Sequence, residues 1–261
     1  IFAGYATDPL NCSYIDDLLN LTVSKKAVFG FNTKALKISN RFFDILDQNQ
    51  IVDSSYISLS IDAGSNETYN KIHAVKGSAK IYDKVLENTK KLGEIRKKNY
   101  FDLSAAYLIN IHSGNEYDCE KFINDFMNAG CNLLRFTFPQ QPKGIKTDDG
   151  VVPLENEKVN YKKMIEKFKL KYENSDCSIL IVDADTDHNI YKKPRTLPCY
   201  ARYVFPTVGF DGWLYNCSQS SAPNFRSSAL GDLTKKGFWE LFYNYDLKNF
   251  EGYQKECNRR I

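Results

Sequence analysis

The stretch YISLSIDAGSNETYNKIHAVKGSAKIYDKVLENTKKLGEIRKK, residues 56–98, carries in one run the pattern that decides the fold. It opens as a short strand, YISLSI, rich in the β-branched and aromatic residues that strands favour. A turn follows, in which Asp62 and Gly64 suit a reversal of the chain. SNET then serves as a capping box from Ser65 to Thr68 without the usual final Glu, leaving Glu67 to face the helix dipole. The remainder is a long helix whose Ile81, Val85, Leu86 and Leu92 define one apolar face.

The same strand-then-helix unit repeats on both sides. Upstream, IFAGYA leads into CSYIDDLLNLTV, with Ile15, Leu18, Leu19 and Leu21 near helical spacing and Ser13 as a possible N-cap. Strand AVFGF and helix ISNRFFDILDQNQ follow. Downstream come LSAAYLINI with NEYDCEKFINDFMNAG, NLLRFTF with NYKKMIEKFKLKYENS, and finally SILIVDA. Such alternation, with short strands apolar on both faces, predicts an α/β fold: a parallel sheet with helices outside, either a barrel or an open doubly wound sheet.

In either architecture ligands bind where the strands end. Those ends read GYATDP, NTKA, SIDAGSNETY, IHSGN and TFPQQPKG. Asp8, Lys34, Asp62 and His112 therefore fall on one predicted rim. Each also has a plain reading, Asp8 and Asp62 as turn formers, Lys34 as a solvated helix start and His112 as a loop histidine. Their common placement gives them weight together.

Of the 261 residues, 43% are hydrophobic and 26% charged, ordinary for a soluble globular protein. No apolar run approaches the ~18 residues of a membrane span, so a soluble, cytoplasmic protein with no membrane partner is expected. The net charge of +3 is spread along helices such as KKLGEIRKK and gives a nucleic-acid partner no support. Seven cysteines make a disulfide framework a poor reading. Cys12, Cys119, Cys131 and Cys177 read as plain core or surface thiols. The opening, IFAGYATDPL, has no initiator Met and reads as the interior of a domain, so a segment before Ile1 is expected.

Residues 56–98 resemble radical S-adenosylmethionine (SAM) enzymes, in which a strand ending in Ser-x-Asp precedes a T/E-x-Y-x-x-I helix and a long helix of the vlenikkL type. GYATDPL is similar to that family's Gly-Gly-Glu-Pro turn, and FNTKAL to its Thr-Asn-Gly stretch. The resemblance covers residues 1–185 and implies a partial (β/α)6 TIM-like barrel of parallel strands. In the family a C-x3-C-x2-C loop before the Gly-Gly-Glu turn holds a [4Fe-4S] cluster. No such triplet stands in this sequence, and the resemblance places it before Ile1.

Residues 186–261 resemble the SPASM and twitch extensions that hold auxiliary iron-sulfur clusters. CYARYVFPTVGFDGWLYNC sets Cys199, Gly212 and Cys217 as C-x12-G-x4-C, and Gly212 suits a tight hairpin between two strand-borne thiolates. ALGDLTKKGFWELF is similar to the helix that follows, and Cys257 stands where a third ligand is expected. A β-hairpin plus helix is implied. Position 260 is Arg, so a complete four-thiolate set is not visible, and a zinc site on the same cysteines is the alternative.

The resemblance implies reductive cleavage of SAM to a 5′-deoxyadenosyl radical that takes hydrogen from a peptide or a small polar metabolite such as a sugar or alcohol. A flavodoxin or ferredoxin would supply the electron. By the same resemblance Asp8, supported by Thr7, meets the SAM ammonium, and Lys34 with Thr33 meets its carboxylate. Ser60 and Asp62 meet the ribose hydroxyls, and Arg135 meets the carboxylate or the substrate. The rival readings are a metal-independent barrel hydrolase using Asp8 and Asp62, and a non-catalytic relative.

Overall fold

The computed structural model describes residues 1–4, 7–110, 115–139, 153–183, 201–218, 221 and 223–243. The chain divides into two compact units, Ile1–Asp187 and His188–Ile261.

In the first unit, six parallel strands lie in chain order. They are β1 Phe2–Ala3, β2 Gly30–Thr33, β3 Tyr56–Ser60, β4 Asp102–Leu108, β5 Leu133–Thr137 and β6 Ser178–Val182. The helices between them are α1 Ile15–Ser24, α2 Asn40–Gln48, α3 Asn66–Ile72, α4 Ile81–Lys98, α5 Glu116–Asn128 and α6 Glu155–Lys171. A doubly wound sheet reverses its strand order at a switch point. Here each strand pairs with the next in sequence, as in a barrel opened along one side, and this separates the two architectures that the sequence left open.

The core confirms the choice and corrects one expectation. Strand residues in the hydrophobic core share one parity: Phe31; Ile57 and Leu59; Leu103, Ala105 and Tyr107; Leu134 and Phe136; Ile179. One face of the strands is thus apolar and the other mixed, Leu133 standing beside Ser104 and Leu180 beside Arg135. The opposite face carries Asn32, Ser58, Ser60, Ser104, Ala106 and Arg135, and register lines them up laterally as Asn32, Ser58 and Ser104, then as Ser60, Ala106 and Arg135. Small and polar side chains stand there because helices cover only the other side.

Local signals explain the helix starts. Ser39 accepts from Phe42 N at 2.9 Å, Ser65 from Thr68 N at 3.2 Å and Asn115 from Asp118 N at 2.8 Å, each satisfying an orphan amide of the first turn. Ser13 does not cap α1; the N-cap is Tyr14, without a side-chain bond. The helix drawn from NYKKMIEKF begins earlier, at Glu155. Cys119, Cys131 and Cys177 are buried, as a core reading expects, and Cys12 is exposed.

The second unit holds α7 Ala201–Val204, an antiparallel sheet of β7 Thr207–Val208, β8 Trp213–Tyr215 and β9 Gly231–Asp232, and α8 Phe238–Tyr243. Gly212, at φ 76°, takes the left-handed turn between β7 and β8 that a side chain would strain. Asp211 ties this hairpin together, accepting from Tyr215 Oη at 2.8 Å and Arg226 Nη2 at 2.9 Å. Cys217 lies two residues beyond β8 rather than on it, and is half-buried. Cys199 and Cys257 lie outside the described residues, as does His112.

Candidate functional site

The ends of β1, β2 and β3 enclose an open cleft of ≈ 580 Å³. Thr7, Asp8, Thr33, Lys34 and Ser60 line it, together with Gly4, Asn32 and Lys37 among others. Five of the seven residues expected to bind a cofactor therefore share one cavity, while Asp62 and Arg135 are not among its walls.

Asp8 organises the cleft. It caps the 3-10 turn Pro9–Asn11, its Oδ1 accepting from Leu10 N at 2.9 Å. The Thr33 hydroxyl donates to the same carboxylate at 2.8 Å, and Lys34 N donates to Oδ2 at 2.6 Å. Thr33 Oγ1 accepts in turn from Ala35 N at 2.9 Å. One carboxylate thus pins the loop after β1 to the end of β2. Thr7 does not support Asp8 directly; its hydroxyl accepts from Asn11 Nδ2 at 3.0 Å. Gly4 approaches this turn so closely that a Cβ would stand 1.4 Å from the Thr7 carbonyl oxygen.

Beyond β3 the chain bends sharply at Asp62, whose φ of 63° is left-handed and which Asp tolerates better than most residues. Its Oδ1 accepts from Leu108 N at 3.0 Å, locking the turn to β4. Burial raises the Asp62 carboxyl above its ordinary range, opposed by the Leu108 amide and by electrostatic attraction to His73, Lys34 and Arg135. Arg135 is exposed on the open face of β5, in register with Ala106, and forms no ion pair within the described residues.

Three residues that sequence reasoning did not single out complete the rim. His73, the C-cap of α3, sits 3.3 Å by Nε2 from the Ile61 carbonyl, 4.0 Å from Asp62 Oδ2 and 3.3 Å by Nδ1 from Lys34 Nζ. Burial and then the Lys34 charge lower its pKa below the ordinary 6.5. Asn88, buried on α4, donates to the Ala35 carbonyl at 2.8 Å and so holds the loop after β2 from behind.

Asp118, buried at the start of α5, does the same for the loop after β3. It accepts from Gly64 N at 2.8 Å, Ser65 Oγ at 3.0 Å, Thr68 Oγ1 at 2.8 Å and Tyr107 Oη at 2.6 Å. Asn88 and Asp118 share one detectable signal, a polar residue inside the apolar face of a helix. Buried polar groups of this kind are partnered, and the loop beside the helix is where partners are found.

The three core thiols do not fit an iron-sulfur cluster. Cys119, Cys131 and Cys177 are buried in the core, and burial raises all three pKa values, that of Cys119 to about 12 and that of Cys177 to about 11. Among the described residues no group of three or more His, Cys, Asp or Glu could hold a metal ion. The cleft itself does fit SAM, since carboxylate, hydroxyl and ammonium groups line a cavity open to one side.

No family model matches the sequence, and no curated protein matches it significantly. Solved structures do. The chain aligns with Streptococcus suis SuiB at a TM-score of 0.64 and 11% identity, over 95% of this chain and 56% of that one. It aligns with SuiB bound to precursor peptide SuiA at 0.63 and 11%, over 95% and 54%. With anSMEcpe bound to AdoMet and the Kp18Cys peptide the values are 0.59 and 16%, over 100% and 70%. The chain thus shares its fold with SuiB and anSMEcpe, and it spans little more than half the length of SuiB.

Proposed function

We propose that this chain is the SAM-binding sheet and C-terminal unit of a radical SAM enzyme. The single observation that carries the reading is the cleft at the ends of β1, β2 and β3, where Thr7, Asp8, Thr33, Lys34 and Ser60 converge on a sheet of that fold. Thr7, Asp8, Thr33, Lys34 and Ser60 would hold SAM there, and bound SAM beside a reduced iron-sulfur cluster would supply 5′-deoxyadenosyl chemistry for removing hydrogen from a substrate.

The chain's own contribution is binding and orientation. The Asp8 carboxylate, already held by three donors, presents its remaining lone pair to the SAM ammonium. The Lys34 ammonium meets the methionyl carboxylate in a charge-assisted pair. Ser60 and Asp62 reach the ribose hydroxyls from the end of β3, and the open face of the sheet, floored by Ser58, Ser104 and Arg135, receives the substrate. A peptide substrate draws support from the peptide-bound relatives of the same fold. Cys199, Cys217 and Cys257 would hold an auxiliary cluster of the SPASM or twitch kind, and a flavodoxin or ferredoxin would deliver the electron.

The test is iron and sulfide per chain in the natural full-length protein, purified and reconstituted without oxygen. About eight irons, as two [4Fe-4S] clusters, with loss of about half in Cys199→Ala, support both sites. Zinc or no metal overturns the reading.

A further inference from the structure

Lys34 is a long, flexible cation on an exposed loop, yet its ammonium is held, and His73 holds it. The ring of His73 has one orientation that satisfies its surroundings. Nε2 faces the Ile61 carbonyl oxygen at 3.3 Å, an acceptor, and so carries the proton. Nδ1 is then a lone pair, facing the Lys34 ammonium at 3.3 Å, a donor. The other tautomer would set a lone pair against the carbonyl and an N–H against the ammonium. Tyr69 packs against the ring in a tilted arrangement, with centroids 4.3 Å apart and planes at 49°. The His73 side chain is 15% exposed, so the contact is shielded on one side.

We propose that His73 is a positioning residue for the candidate SAM site, its Nδ1 orienting the Lys34 ammonium so that this cation is in place before a ligand carboxylate arrives. The inference rests on the SAM reading for the identity of the ligand but not for the His73–Lys34 contact. Immobilising a rotamer-rich side chain before binding removes a cost that would otherwise weaken the ligand about two- to tenfold. His73 touches no ligand in this scheme and acts only through Lys34. The titratable groups facing it are Lys34 after β2, Asp62 after β3 and the uncharged Tyr69 on α3, while Arg135 acts on Asp62 and Asp8 on Tyr69.

The test compares SAM with decarboxylated SAM, which lacks the carboxylate, by calorimetric binding to the natural full-length protein. His73→Phe, which keeps an aromatic ring on Tyr69, is expected to weaken SAM about two- to tenfold and to leave decarboxylated SAM unchanged. Adding His73→Phe to Lys34→Met is expected to cost nothing further. His73→Asn, whose amide oxygen again faces Lys34, should recover affinity.

Equal losses for both ligands, or a His73→Phe loss that persists in the Lys34→Met background, overturn the proposal. Nitrogen-15 spectra of the His73 ring provide the arm that needs no ligand. Nδ1 is expected as the unprotonated nitrogen, with a resonance that moves in Lys34→Met, and a protonated Nδ1 at neutral pH refutes the contact. If the wild type binds neither compound, the SAM reading fails and the spectra alone decide the role of His73.

Discussion

Asp118→Asn is the perturbation that tests most directly how the site is held. The substitution preserves shape, so no cavity term enters. In the wild type Oδ2 accepts from Gly64 N and Tyr107 Oη, and Oδ1 from the Ser65 and Thr68 hydroxyls. The Gly64 amide cannot turn away, so the Asn oxygen must stay with it and the new NH₂ must face the two hydroxyls, which can rotate to accept. Four bonds to a charged group, at about 1.5–3 kcal/mol each, become bonds between neutral groups at about 0.5–1.5 kcal/mol. The summed difference is an upper bound because the four share one carboxylate, and about 2–3 kcal/mol of unfolding free energy is the expected loss. Urea unfolding followed by circular dichroism should report it as a lower midpoint at unchanged slope. Tyr107→Phe, which removes one donor of the four, should lose about 1–2 kcal/mol. A loss below about 0.5 kcal/mol in Asp118→Asn would refute the claim that this carboxylate holds the turn bearing Asp62.

Further outcomes follow from other parts of the rim. Asp8→Ala frees Leu10 N, the Thr33 hydroxyl and Lys34 N together, and calorimetry should show SAM affinity falling at least about tenfold with about 1–2 kcal/mol lost from stability. Gly64→Ala places a Cβ 1.9 Å from the Asp118 carbonyl oxygen, and thermal unfolding should show a loss of about 3 kcal/mol or more. The lowered His73 pKa means that the unfolded chain binds the extra proton first. Its contribution to stability is therefore present above about pH 6.5 and lost as pH falls through the lower folded value, a trend His73→Phe should flatten in midpoint-against-pH plots. Thiol labelling mapped by mass spectrometry at pH 8 should modify exposed Cys12 readily and Cys119, Cys131 and Cys177 only on unfolding.

Much of this fold is legible in the residue order because strand and helix alternate with different periods. What misled was treating short apolar strands as apolar all round. YISLSI alternates Ile57 and Leu59 with Ser58 and Ser60, and its neighbours carry Asn32 and Ser104 in the same rows, so an open polar face was written in the lateral register. Register is invisible in one strand alone, since it depends on which residues pair across the sheet. The strand-end residues Asp8, Thr33, Lys34 and Ser60 were legible because each stands at or shortly after the end of its strand. His73, Asn88 and Asp118 were not, because each reaches the rim from a helix, between 39 and 54 positions away from Lys34, Ala35 and Gly64 respectively. Long-range polar contacts of that kind have no local spacing to betray them.

The contrast between the two rim acids also bears on the rival hydrolase reading. A pair of carboxyls acting as general acid and base needs one raised group and one free to take a proton. Asp62, raised by burial, suits the first role in isolation. Its Oδ1, however, is bound by Leu108 N, and its other oxygen faces His73. Asp8 suits the second role poorly, because the Leu10 amide, the Thr33 hydroxyl and the Lys34 amide already occupy its oxygens. A pre-oriented carboxylate is instead what an ammonium ligand requires, and the Lys34 backbone is fixed by that same carboxylate. Acid and cation held a few bonds apart at one rim match a zwitterionic amino-acid group, the part of SAM that no hydrolase substrate need share.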